Sequence, residues 1–95
     1  MAKAKRVSVL VEDMEHCVEC GHENPQEHHV FYGTANRKIS DQDGMIIPLC
    51  LRCHANLHND PNKTLDRKWR HIAQAKYEET HTREEFRKRY GKSYL

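Results

Sequence analysis

The run Cys50-Leu51-Arg52-Cys53-His54-Ala55-Asn56-Leu57-His58 passes from a metal-binding turn into a helix without a spacer. Its first half is a Cys-x-x-Cys pair. That spacing lets one turn present two sulfurs to one ion. Its second half places His54 and His58 four positions apart, on one face of a helix. An ion on the cysteines would therefore fix where the helix begins and where His54 points. Upstream, Met45-Ile46-Ile47-Pro48-Leu49 reads as a strand, with Pro48 at an edge or a strand end. A second apolar run, His28-His29-Val30-Phe31-Tyr32, reads as another strand, ended by Gly33. Before it stands Cys17-Val18-Glu19-Cys20-Gly21, a second pair with a glycine for the tight turn. Two strands and a helix stapled by four thiolates predict a small α+β domain.

The remaining segments read more plainly. Val7 to Val11 is a short β-branched run and predicts a strand. Asn24-Pro25 marks a turn. Thr34 to Gly44 is polar, carries Arg37 and Lys38, and reads as a loop with room for one helical turn. Asn59-Asp60-Pro61-Asn62 breaks the helix that holds His54 and His58. A new helix starts near Thr64, with Leu65, Trp69, Ile72, Ala73 and Tyr77 as its apolar stripe. Trp69 reads as a core anchor in preference to a base-stacking surface residue. Thr82-Arg83-Glu84-Glu85 is a Thr-x-x-Glu capping box for a last helix that Gly91 ends. No internal repeat or second domain is expected. Residues 1–95 form one unit with its core at 17–58 and a helical C-terminal extension at 64–91.

Composition bounds the chemistry. Of 95 residues, 37% are hydrophobic and 32% charged, so the core must be thin. Small domains of this kind rely on a metal or on disulfides. All four cysteines fall into the two close pairs. The N-terminus, Met1-Ala2-Lys3-Ala4-Lys5-Arg6, is basic, and the apolar run after it is too short for export or for a membrane span. A cytoplasmic setting is expected, where thiols stay reduced and paired cysteines are ligands. Cys17, Cys20, Cys50 and Cys53 are thus expected to hold a structural Zn2+ in a closed site with no position open to substrate. Net charge is only +2, but basic residues crowd at Arg37-Lys38, Arg67 to Arg70 and Arg83 to Lys92. Such patches can track a phosphate backbone, or simply form solvated helix faces.

The histidines carry a second site. His54 and His58 can chelate one ion, and a third imidazole from the neighbouring strand would leave one coordination position for phosphate or water. His28 and His29 are both candidates. One would bind the ion, and the other would be free to act as a general base near neutral pH. Adjacent side chains on a regular strand face opposite ways. Both can reach one phosphate only if the backbone bends or if the phosphate lies at the strand edge. His16, His22, His71 and His81 read as ordinary surface histidines.

Cys17-Val18-Glu19-Cys20, Glu27-His28-His29-Val30-Phe31-Tyr32-Gly33 and Pro48-Leu49-Cys50-Leu51-Arg52-Cys53-His54 through His58 together resemble the HNH (ββα-metal) nucleases. The closest likeness is to small phage and prophage enzymes with a Cys-x-x-Cys pair on each side of the motif, including the recombination-enhancement type. The resemblance implies a hairpin packed on one helix, with a catalytic divalent cation (Mg2+, Mn2+, Zn2+ or Ni2+) between them. It implies His28, His54 and His58 as ligands of that cation and His29 as the general base. The implied reaction is hydrolysis of DNA phosphodiesters, leaving 5′-phosphate and 3′-hydroxyl ends. The middle asparagine of the family falls on Met45 here. Either Asn36 takes its catalytic role or the role is absent. Arg37 and Lys38 are the expected DNA backbone contacts. The alternative is a non-catalytic zinc-binding adaptor for DNA or protein, or a structural zinc domain of a larger phage assembly. Either needs the cysteines and basic patches but not the four imidazoles.

Overall fold

The computed structural model describes residues 7–33 and 35–95. They form β1 (Gln26–His29), α1 (Asn36–Asp43), β2 (Ile46–Leu49), α2 (Leu51–Asn59), α3 (Thr64–Tyr77) and α4 (Arg83–Tyr90). The strands pair antiparallel, with Gln26 opposite Leu49, His28 opposite Ile47 and His29 opposite Ile46. The result is a small α+β fold, a two-stranded sheet wrapped by four helices.

Every residue of β2 is buried, because helices and the N-terminal segment cover both of its faces. Leu57 of α2, Trp69, Ala73 and Tyr77 of α3, and Phe86 and Tyr90 of α4 close on it. Phe31 is the centre of an aromatic cluster. Its ring lies 5.2 Å from Phe86, 4.5 Å from Tyr90 and 5.3 Å from Tyr94. The helical extension thus supplies five of the thirteen buried residues of this core. The Thr82 capping box forms in full: Glu85 N–H donates to Thr82 Oγ1 at 3.1 Å, and Thr82 N–H donates to Glu85 Oε1 at 2.8 Å.

Four local expectations change. Val7 to Val11 is a loop and not a strand. Ser8 Oγ donates to Ile46 O at 2.6 Å and accepts from the N–H groups of Leu10 and Val11. The serine side chain thereby takes over the bonds a strand ladder would make, and curls the chain. The first strand of the hairpin begins at Gln26 and ends at His29, two residues earlier at its start than the apolar run predicts. Phe31 leaves the ladder because Ser40 satisfies it from α1. Ser40 Oγ accepts from Phe31 N–H at 3.1 Å and donates to Phe31 O at 2.6 Å. The expected loop is a full helix from Asn36 to Asp43, closed at Gly44, whose φ of +72 is the left-handed cap conformation. Ile72 is 40% exposed, since Leu65, Trp69, Ala73 and Tyr77, four apart in turn, already supply the buried face of α3.

Ser40→Ala should destabilise the metal-loaded protein by about 2–4 kcal/mol. It orphans two buried backbone groups of Phe31, at about 1–3 kcal/mol per unsatisfied group. Urea denaturation checks this. A midpoint shift no larger than that of Lys38→Ala, an exposed change on the same helix, would contradict it.

Candidate metal centres

The sulfurs of Cys17, Cys20, Cys50 and Cys53 all lie within 4.8 Å of one another, and none is in a disulfide. Local structure puts them there. Gly21 N–H donates to Cys17 O at 2.8 Å and Cys17 N–H donates to His22 O at 2.9 Å, folding the first pair into a tight turn. Gly21 has φ of +79, which a glycine adopts without strain. The second pair sits on the start of α2, where Cys50 is the N-cap and its sulfur accepts from Cys53 N–H at 3.5 Å. Val18 N–H donates to Pro48 O at 2.9 Å and holds the two halves together. Cys20 Sγ is 3.6 Å from Cys50 Sγ. Zn–S bonds of about 2.3 Å place tetrahedral sulfurs about 3.8 Å apart, so the cluster has the size of a four-thiolate zinc site.

The thiols respond to that crowding. Burial opposes ionisation of Cys17, but hydrogen bonds from the backbone of Cys50, Cys20 and Glu19 outweigh it and lower the thiol to about 6. Cys53 is pushed up to about 12, by burial first and then by the neighbouring sulfurs. Four sulfurs this close share their negative charge stably only around a cation.

A second donor set lies on the other side of the α2 N-terminus. His28 Nδ1 is 3.2 Å from His54 Nε2, and His58 Nε2 is 3.3 Å from the same atom. Zn–N bonds of about 2.0–2.1 Å give tetrahedral nitrogens about 3.3–3.4 Å apart. Gln26 Oε1 lies 3.1 Å from His54 Nδ1 and accepts its proton, which leaves His54 Nε2 with a lone pair. His28 is only 4% exposed. Burial, then the charges of His54 and His58, lower its pKa to about 3. It is therefore a neutral imidazole, the form that binds metal. His54 is half-buried and His58 exposed, so the triad opens onto a cleft of about 250 Å³.

His29 borders the same cleft, as do Tyr32 and Arg37. It stands outside the triad, with its Nε2 3.3 Å from Asp41 Oδ1. Glu27 is close by, and the donor atoms of Glu27, His29 and Asp41 lie within 4.8 Å of one another. Asn36 is elsewhere: its Nδ2 donates to Tyr90 O at 3.0 Å, tying α1 to α4. Lys38 is exposed on α1 and does not line the cleft, whereas Arg37 does. The sequence gives no notice of Asp41, because it reaches His29 only once residues 36–43 are helical. Gln26, the outer partner of His54, is equally silent until the strand register is known. Trp69 is the core anchor expected of it, and its Nε1–H donates to Glu19 Oε2 at 2.7 Å inside the cysteine turn.

Fold and donor sets define a small α+β domain with a four-cysteine site suited to structural zinc. The chain belongs to the family described as "Protein of unknown function (DUF968)", which matches residues 9–92. No curated protein matches the chain, and no solved structure does. Among the described residues, no helix is long and apolar enough to cross a membrane.

Purified protein is expected to carry one tightly held zinc per chain on the cysteines. Cys20→Ser should abolish folding or lower the melting temperature steeply. His58→Ala should keep that zinc and lose only a second ion that chelators remove first. Elemental analysis decides: folded protein free of zinc would refute the thiolate site.

Proposed function

We propose that the chain is a metal-dependent HNH (ββα-metal) endonuclease that hydrolyses DNA phosphodiester bonds. One observation carries the reading: three imidazole nitrogens converge at metal-ligand spacing on a cleft that a fourth histidine, His29, also borders. An adaptor with only structural zinc leaves that convergence without a purpose.

His28 Nδ1, His54 Nε2 and His58 Nε2 would hold the catalytic cation. Three nitrogen donors favour zinc or nickel over magnesium, which prefers oxygen. When bound, the cation supplies charge stabilisation at the phosphate and the leaving 3′ oxygen. His29, held against Asp41 through Nε2, would take a proton from the attacking water. Asp41 accepts from Nε2–H and fixes both tautomer and ring orientation. The orienting role expected of Asn36 thus falls to Asp41, from the same helix. Arg37, on the cleft wall, offers positive charge to the phosphate. Lys38, outside the cleft, contributes at most to the approach of the polyanion.

His29→Ala should lower plasmid nicking by about 10²–10⁴-fold, the usual contribution of a general base, while fold and DNA affinity persist. Asp41→Ala should lower kcat with little change in KM. Asp41→Asn, which keeps an acceptor oxygen, should recover most of the loss. Undiminished nicking by well-folded His29→Ala protein would sink the assignment.

A further inference from the structure

Next to the histidine cleft lies another, of about 360 Å³, walled by α3 and the C-terminal segment. Lys63, Arg67, Arg70 and Lys92 bring four positive charges to it. Asp66 is the one carboxylate among its lining residues, and it is already engaged. It accepts from Tyr32 O–H at 2.9 Å and lies 3.4 Å from Arg70 Nε. The cleft therefore keeps a net positive charge.

Arg70 is held in place. Its guanidinium lies 4.6 Å from the ring of Tyr32 and 4.6 Å from the ring of Tyr94. Its side chain is 19% exposed. The contact between its Nε and Asp66 is close enough for ion pairing, but no directed hydrogen bond satisfies that nitrogen. A guanidinium held against two rings suits a planar or tetrahedral oxyanion, and phosphate above all. Lys92 Nζ, 5.3 Å from the Tyr94 ring, adds charge at the mouth.

Tyr32 joins the two clefts. It borders the histidine cleft, its ring is 5.2 Å from that of His58, and the guanidinium of Arg70 lies 4.6 Å from the same ring. One aromatic ring separates the proposed scissile position from Arg70. We propose that the Arg67–Arg70–Lys92 cleft binds a backbone phosphate of the same DNA strand, flanking the phosphate in the histidine cleft. This rests on the nuclease reading and extends it to the helical extension. Contacts of this kind position a strand without reading its sequence.

The test uses the full zinc-loaded chain carrying His29→Ala, so that binding is read without cleavage. Arg67→Gln and Lys92→Gln are introduced together. Arg70 is left intact because its contacts with Tyr32, Tyr94 and Asp66 also support the fold. Affinity for two duplexes of unrelated sequence should fall about tenfold for both. The slope of log affinity against log salt should become shallower by about 0.9, the value for the one phosphate contact proposed. A control pair, Lys76→Gln with Lys88→Gln, removes the same charge elsewhere and should keep the parent slope. The proposal is overturned if the Arg67/Lys92 pair keeps the parent affinity and slope, or if the control loses as much. It is also overturned if the pair weakens binding of inorganic phosphate but not of DNA. Nicking by the unmutated chain separates the two readings. Cleavage with an unchanged slope removes this cleft and keeps the nuclease; an Arg67/Lys92-dependent slope without cleavage under any divalent ion does the reverse.

Discussion

Four sulfurs within 4.8 Å of one another join two stretches of chain that are 30 positions apart. The geometry of the histidines follows from that junction. Cys50 is both a member of the cluster and the N-cap of α2, and His54 N–H donates to Cys50 O at 2.8 Å in the first helical turn. Fixing Cys50 therefore fixes the rotation of the helix, and with it the direction of His54 and His58. β2 ends immediately before Cys50, and its pairing with β1 sets His28 opposite Ile47. The nitrogen triad is thus positioned by the sulfur cluster through about two turns of helix and one strand pair. Structural zinc contributes about 10–16 kcal/mol of binding energy to folding in small domains. In a chain that is 37% hydrophobic, that is enough to determine whether the site exists at all.

The C-terminal helices hold the opposite end of the hairpin. Phe31 is packed by Phe86, Tyr90 and Tyr94, so Tyr32 is set between the two clefts by its neighbour's burial. α1 is tied to α4 at both ends. Asn36 donates to Tyr90 O at its start, and Asp43 at its end accepts from Arg89 at 2.7 Å and from Tyr90 O–H at 2.6 Å. Burial, then the hydrogen bond to Asp43, hold the Tyr90 phenol well above its ordinary pKa, so it remains a donor at any physiological pH. Asp41 lies between these two anchors. Its approach to His29 consequently depends on α4, a helix that contributes no residue to either donor set.

The parts legible in the sequence are those whose signal is local. Cys-x-x-Cys and His-x-x-x-His encode their geometry in their own spacing, and both donor sets assemble as that spacing predicts. The Thr82 cap and the Leu65–Tyr77 stripe are local in the same sense. The misread parts are settled by distant partners. α1 has no side-chain N-cap and one large apolar residue, Ile39, so no periodicity announces it; Ser40, bonded to Phe31, is what fastens it. Val7 to Val11 has strand-like composition, but Ser8 spends its hydroxyl on Ile46. Asn36 is the polar residue that the sequence offers in this segment, yet only the helical rise of α1 brings Asp41 and not Asn36 to His29.

Adjacent histidines on one strand pose a geometric problem that this fold resolves by keeping the sheet minimal. His28 turns toward α2 and meets His54, while His29 turns the other way and meets Asp41 on α1. In a wider sheet those faces would be separated by the next strand. Here, among the described residues, β1 pairs with β2 alone. Both imidazoles therefore border one cleft from opposite sides of the strand edge. Under the proposed reading, a phosphate at that edge meets the cation on one side and the base on the other. A third strand on β1 would bury that edge, which gives a chemical reason for the sheet to stop at two.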